Sequence, residues 1–379
     1  MMAPDMLANA LGRIDRRTRY IFGGYLLAFL LVAVTVVLGL PPLVRFGASI
    51  IALAAGAVAV GEATERLAHR LSPAATGVVQ SVLGNLPELF LSIFALQAGL
   101  TQLVVAALIG SVLGNALFVL GLAIFLGGLR HGRLRFSGVA NRLYATEVLL
   151  GASALLIPFL ATQPGAPDFG HADELSAVVS IVLLVVFAAS VPISLRLSET
   201  GPGAADRIGM EEEQPRGSQP PPPPLRSTLL LLGFSALLAA FVADWFVDAL
   251  EPAMASFGIS EAFVGLIVVA LAGNSIEQLA GVRAAVRNRP DLALSLILNS
   301  ALQIVLFLTP VIVLLSFIVA PVPMTLVIDP LFLGSLMVTV ILLFVIVADG
   351  EANALEGLML LGLYVIIAAA VWWGHPIPG

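Results

Sequence analysis

The sequence predicts an all-α polytopic membrane protein of eleven transmembrane helices, one N-terminal helix followed by two inverted five-helix repeats. Three observations predict it. Only 11% of the 379 residues are charged and the mean hydropathy is +1.04, whereas a soluble domain is about a quarter charged. The apolar residues gather into eleven runs, most of them near the roughly 20 residues that cross a bilayer as a helix. Finally, the pattern Gly-Asn-x-x-Glu occurs twice inside such runs, at Gly84–Glu88 and Gly273–Glu277, 189 residues apart.

Taken in order, Arg13, Arg16, Arg17 and Arg19 precede a first run at 20–40. No small-residue cleavage site follows it cleanly, so it reads as a retained helix and not a signal peptide. Runs at 43–67, 77–98, 101–129, 140–162 and 174–196 come next. After a break, the runs resume at 227–250, 260–284, 291–319, 326–348 and 354–373. Helices are expected throughout, because unpaired backbone cannot face lipid. The break carries Glu211–Glu213 and the proline run Pro220–Pro224, a composition that favours an extended linker over a packed core. The expected organisation is therefore a cytoplasmic N-terminus with the first helix (1–40), a first repeat (41–197), an acidic and proline-rich cytoplasmic linker (198–226) and a second repeat (227–379).

The charges sort by side. All 18 basic residues are arginines. With eleven crossings, one side holds the N-terminal cluster, Arg66, Arg70, Arg130, Arg133, Arg135, Arg142, Arg196, Arg207, Arg216, Arg226, Arg283, Arg287 and Arg289. The other holds only Arg45, among acidic positions such as Asp168, Asp173, Glu174, Asp248 and Glu251. By the positive-inside rule the N-terminus is cytoplasmic and the C-terminus outside, as suits a bacterial inner (plasma) membrane protein.

The offset that superposes the two motifs also places Ala95 on Ala284 and Ser111 on Ser300. Five crossings separate equivalent elements, so the third and eighth runs point in opposite directions. Inverted repeats of this kind are typical of secondary transporters, whose sites lie near the membrane midplane.

Within each motif, Asn and Glu at i and i+3 share one helix face. Asn85 with Glu88, and Asn274 with Glu277, each set an amide oxygen beside a carboxylate. Hard cations such as Ca²⁺ take six to eight oxygens. A carboxyl in a low-dielectric setting also holds a proton readily when no cation is present. Glu88 and Glu277 are thus the expected metal-binding and proton-binding groups, with Pro87 expected to kink the first motif's helix. The bland alternative is a pair of hydrogen-bonded packing residues, but acids inside a membrane span are seldom structural. Ser111 and Asn115, with Asn299, Ser300 and Gln303, form a second polar layer that either lines the site or glues helices together. Glu62 and Glu65 at one end of the second run, and Asp244 and Asp248 at the opposite end of the seventh, read as an access path or as interfacial ion pairs. Glu147, Asp349, Glu351 and Glu356 read as solvated helix ends.

Cysteine is absent, so neither disulfides nor thiolate metal sites arise. His69, His131, His171 and His375 have no ligand spacing, and no nucleophile elbow, phosphate loop or dinucleotide fingerprint occurs. The expectation is a non-enzyme without cofactors, whose partners are inorganic cations, protons and membrane lipid, with no nucleic acid.

The ordered set of motifs resembles the calcium/proton exchanger family of the cation/Ca²⁺ antiporter superfamily, from the second run to the C-terminus. It comprises Gly61-Glu62-Ala63-Thr64-Glu65-Arg66-Leu67-Ala68, Gly84-Asn85-x-x-Glu88-Leu89, Gly110-Ser111-x-Leu113-x-Asn115, Gly273-Asn274-x-x-Glu277, Gln303-Ile304 and Asp349-Gly350-x-x-Asn353. The resemblance implies a sodium/calcium exchanger-like fold and alternating access, with Glu88 and Glu277 as central exchange carboxylates. The family commonly has His where this chain has Gln278, Gln and Ser where it has Val105 and Ala107, and a hydroxyl at Leu302. The expected function is exchange of cytoplasmic Ca²⁺ for external protons. A Na⁺(K⁺)/H⁺ antiporter of the same fold, and an uncoupled cation channel, are the alternatives.

Overall fold

The computed structural model describes residues 15–68, 70–71, 73–166, 170–200 and 224–373. Arg13, His69, Asp168, His375 and linker residues 201–223 lie outside the described residues, as does the side chain of Glu277. The described chain is almost entirely helical: α1 (Arg16–Val37), α2 (Pro42–Ala68), α3 (Pro73–Gly84), α4 (Leu86–Gln97), α5 (Thr101–Leu113), α6 (Leu120–His131), α7 (Gly138–Ala161) and α8 (Ala172–Thr200) precede the linker. After it come α9 (Leu225–Phe257), α10 (Glu261–Phe263), α11 (Ala270–Gly273), α12 (Ser275–Val286), α13 (Pro290–Gln303), α14 (Thr309–Val319), α15 (Pro330–Asp349) and α16 (Ala354–Trp373). Among the described residues nine helices are long and apolar enough to cross a membrane, or ten if the bent pair Glu261–Gly273 and Gln278–Val286 is one span.

Three π-helical segments, Gly114–Val119, Val264–Val269 and Ile304–Leu308, join α5 to α6, α10 to α11 and α13 to α14. No periodicity in the sequence signals them. A π turn adds one residue to a helical turn and re-aims the side chains beside it, which is why such segments recur at functional sites.

Contacts divide the chain into two compact units, each drawn from both sides of the linker. The first comprises residues up to Phe90 together with Ala188–Leu250. There α2 and α9 run antiparallel, with Phe46 against Phe246 (ring centroids 5.3 Å apart) at one end and Val60 and Ala63 clustered with Leu232 at the other. Tyr25 of α1 packs onto Gly56, where a methyl group would meet its ring at 3.0–3.1 Å, and donates a 3.3 Å hydrogen bond to the Ser235 carbonyl.

The second unit comprises Leu91–Phe187 and residues from Glu251 onward. Its helices cross at glycines. A β-carbon on Gly110 would fall 2.4 Å from the Leu266 carbonyl oxygen, and one on Gly265 would fall 2.5 Å from that of Leu103. Each backbone therefore occupies the space of the other's missing side chain. At one end, β1 (Leu134–Arg135) pairs antiparallel with β2 (Glu351–Ala352), and Arg133 and Arg135 reach Glu351 at 2.7 and 3.6 Å. At the opposite end the Leu326 amide donates to Ser176 Oγ at 2.9 Å.

Exposed aliphatic side chains line the outer helix faces. Val178, Ile181, Val182 and Val185 form a stripe at helical spacing along α8, as expected of a surface whose solvent is lipid.

Candidate functional site

Both Gly-Asn-x-x-Glu motifs interrupt a helix at the asparagine. In the first unit α3 ends at Gly84, Asn85 forms a turn and α4 begins at Leu86. The break thus falls two residues before Pro87, where the sequence had suggested a kink. Pro87 takes the second position of α4, where an N–H has no intrahelical acceptor and its absence costs nothing. Asn85 supplies the interruption, its Nδ2 donating to the Ser81 carbonyl at 2.9 Å. Asn85 and Glu88 are both buried. Glu88 occupies the first turn of α4, where the free N–H groups of a helix N-terminus favour a negative charge.

In the second unit α11 ends at Gly273 and α12 begins at Ser275, with a 64° bend across the break. Here Asn274 is the centre of a buried polar chain. Its Nδ2 donates to Ser111 Oγ at 3.1 Å and to the Ala270 carbonyl at 3.3 Å. Ser300 Oγ donates to Asn274 Oδ1 at 3.4 Å and accepts from Asn115 Nδ2 at 3.0 Å. Ser111, Asn115, Asn274 and Ser300 are each no more than 4% exposed. The chain of bonds draws together α5, the π segment at 114–119, the α11–α12 break and α13. Gln303 is buried one turn from Ser300, and Asn299 is half-buried beside it. The Gln278 side chain follows the motif glutamate, and its buried Nε2 has no hydrogen-bond partner among the described residues.

The spacing Asn-x-x-Glu could have been no more than a helix cap. The chain contains such a case. At the start of α16, Glu356 Oε2 accepts from the Asn353 amide at 2.7 Å and Asn353 Oδ1 accepts from the Glu356 amide at 3.3 Å, a reciprocal capping box. Asn274 stands at the same position relative to α12 but makes no side-chain cap hydrogen bond. Its amide is turned to other helices instead.

The remaining candidates separate. Glu62 is buried and clamped, accepting from Thr18 Oγ1 at 2.8 Å with Arg17 at 3.5 Å and Arg66 at 3.9 Å. Arg66 also donates to Thr18. It is thus Glu62, not Glu65, that pairs with Arg66, and Glu65 is exposed. Because α2 and α9 are antiparallel, Asp244 (half-buried) and Asp248 (exposed) lie at the other end of this helix pair. Glu147 is not a helix end but sits three turns into α7, half-buried, with no hydrogen-bond partner for Oε2 among the described residues. It lies within the membrane-length segment Arg142–Ala161.

Helix breaks that carry amides and a buried carboxylate, among helices of membrane-crossing length, define a secondary transporter. The chain belongs to the sodium/calcium exchanger protein family, whose model matches residues 41–196 and 227–373. It is 35% identical over 343 residues to a Ca²⁺/H⁺ antiporter of Synechocystis sp., covering 87% of this chain and 90% of that one. It is 32% identical over 330 residues to the Ca²⁺/H⁺ antiporter ChaA of Bacillus subtilis, covering 86% and 92%. Among solved structures it is similar to native YfkE, with a TM-score of 0.76 and 29% identity over 93% of this chain and 99% of that one.

Proposed function

We propose that this protein exchanges Ca²⁺ for protons across the membrane, exporting cytoplasmic Ca²⁺ by alternating access with Glu88 and Glu277 as the exchange carboxylates. The observation that carries the reading is the pair of helix breaks at Asn85 and Asn274, in a chain whose relatives at 32–35% identity are named Ca²⁺/H⁺ antiporters. Half-helix termini provide dipoles and freed backbone groups for ions, and the amides and carboxylates supply hard oxygen ligands. When Ca²⁺ leaves, protons take its place on the carboxylates, which spares the interior an unpaired charge.

An eleven-crossing topology of one helix plus two inverted repeats suits this reading. The two helix breaks are 189 residues apart, and the same offset carries the π segment at 114–119 onto 303–308, against 304–308 observed. The α5–α6 and α13–α14 helices equivalent under that offset run antiparallel: Asn115 meets Ser300 at mid-length, and Ser137, just past α6, donates to Asp291 at the start of α13. The arginine-rich segment 130–135 and Glu351 share one end of the second unit, which we assign to the cytoplasm.

Ca²⁺ uptake by inverted vesicles carrying a proton gradient, read with a fluorescent pH probe, tests the function. Ca²⁺ should collapse the gradient in the wild type and not in Glu88→Gln or Glu277→Gln. Undiminished exchange in both variants would remove these residues from the mechanism. A Na⁺ or K⁺ substrate is the second reading, favoured by Val105 and Ala107, which leave α5 with fewer oxygens near Ser111. Competition by these ions in the same vesicles separates the two.

A further inference from the structure

Two membrane-length segments end side by side in the second unit. Gly127 of α6 packs against Ala285 of α12, and His131 Nε2 donates to the Val286 carbonyl at 2.9 Å. Between these ends lies a cavity of about 480 Å³ lined by Arg130, His131, Val282, Arg283, Val286 and Arg287. None of its three guanidinium groups has a carboxylate within ion-pair distance among the described residues, whereas Arg133 and Arg135 nearby are matched by Glu351.

Arginines at helix C-termini interact favourably with the carbonyl ends of the helix. Here, however, those carbonyls are already engaged. Gly128 accepts from the Gly132 amide, Val286 from His131, and Arg283, Ala284 and Ala285 from the amides of residues 287–289. Two helix ends contribute about one negative charge between them, which does not balance three guanidiniums. The cavity therefore keeps a net positive charge and a size in the range of a small-molecule site.

The surface leading to it is apolar. Leu279 is exposed one turn before Val282 and Arg283, and Leu126 and Leu129 are exposed just before Arg130. Exposed leucines on both spans within about a turn of these arginines match an amphiphile with an anionic head. A free anion would have no use for the leucines. We propose that this cavity holds the phosphodiester headgroup of an anionic phospholipid, with the acyl chains along Leu126, Leu129 and Leu279. Basic pockets between transmembrane helices are suited to such headgroups.

The full-length protein, delipidated in detergent, would be titrated with phosphatidylglycerol or phosphatidylcholine of the same acyl composition and read by native mass spectrometry. The wild type should retain phosphatidylglycerol about tenfold or more over phosphatidylcholine, given roughly fivefold per basic contact near a membrane surface. Arg130→Gln/Arg283→Gln/Arg287→Gln should abolish the preference, and Val286→Glu, which puts an internal carboxylate among the arginines, should do the same. Arg16→Gln/Arg19→Gln, at exposed positions elsewhere, should leave it unchanged. Equal retention of the two lipids by the wild type, or a preference that survives both pocket variants, would overturn the proposal. Inorganic phosphate that displaced phosphatidylglycerol at millimolar concentration would identify a free anion as the ligand and overturn the lipid assignment.

Discussion

Asn274 Nδ2 lies 3.1 Å from Ser111 Oγ, a hydrogen bond joining residues 163 positions apart. It fixes the residue at the helix break to a neighbouring span. Ser111→Ala leaves Asn274 Nδ2 with only the Ala270 carbonyl, at a cost of about 1–2 kcal/mol for a buried donor partly deprived of partners. The expected outcome is a lower melting temperature and a several-fold weaker apparent Ca²⁺ affinity. Ser111→Thr, which keeps the hydroxyl, should retain more of both. Radioactive Ca²⁺ uptake and a detergent melting assay check this.

In the proposed exchange, Glu88 and Glu277 must be ionised to take Ca²⁺, so protons and Ca²⁺ should compete for them. The sign follows directly. Apparent Ca²⁺ affinity should fall as the pH of the loading side falls and rise as it is made alkaline. Glu88→Gln removes the competition together with the transport, since the amide neither ionises nor releases a proton. Exchange measured over a pH series on each face would contradict the scheme if affinity were flat in the wild type.

Much of the architecture was legible because the bilayer imposes a blunt rule on composition: each apolar run identified in the sequence is mainly helical across its described residues, the exceptions being run ends such as 326–329 and the breaks at Asn85 and Asn274. Arg133 meets Glu351 from another loop, so the loops after the fourth and tenth runs share one end of the second unit. What could not be read was the local departure from regular helix. The π segment that carries Asn115 has no propensity signal; it follows α5, whose Gly110 packs against the Leu266 backbone. Nor could the spacing Asn-x-x-Glu say which copy caps a helix, because Asn353 and Asn274 differ in tertiary surroundings and not in sequence pattern.

Gly110 and Gly265 should be intolerant of even a methyl group. Their β-carbons would meet backbone atoms at 2.4 and 2.5 Å, and backbone cannot swing aside as a side-chain tip can. Overpacking of this kind costs about 1–3 kcal/mol or more. Gly110→Ala or Gly265→Ala should therefore reduce the folded yield in a fluorescence size-exclusion assay. Gly233→Ala and Gly334→Ala, where nothing lies within 4 Å, should elute as the wild type does.

Glu62 and Arg66 are both buried and share Thr18 between them, which ties α1 to α2. Removing Glu62 strands the buried Arg66 charge, at a cost of about 3 kcal/mol or more, whereas removing Arg66 leaves Glu62 with Arg17 at 3.5 Å. Glu62→Met should destabilise the protein strongly and Arg66→Met less, since Arg17 still faces Glu62. The double substitution Glu62→Met/Arg66→Met should recover much of the loss, because a matched apolar pair strands no charge. Additive losses in the double-mutant cycle would show that the pair does not couple.

The two asparagines at helix starts offer the sharpest separation of stability from function. Among the described residues Asn353 Oδ1 serves the Leu355 and Glu356 amides and nothing outside its own helix end. Asn353→Ala should cost about 1 kcal/mol of stability, the usual worth of an N-cap, with exchange rates unchanged per folded molecule. Asn274 makes no cap bond, and its contacts run to Ser111, Ser300 and Ala270. Asn274→Ala removes the proposed oxygen ligand as well as the hydrogen bonds to Ser111 and Ser300, so exchange should fall by far more than the folded fraction does. Asn274→Asp keeps the oxygen but adds a charge and loses the donor to Ser111, so it should restore stability only in part and shift exchange toward higher pH. Equal ratios of lost transport to lost stability in Asn353→Ala and Asn274→Ala would reduce both residues to the same structural role.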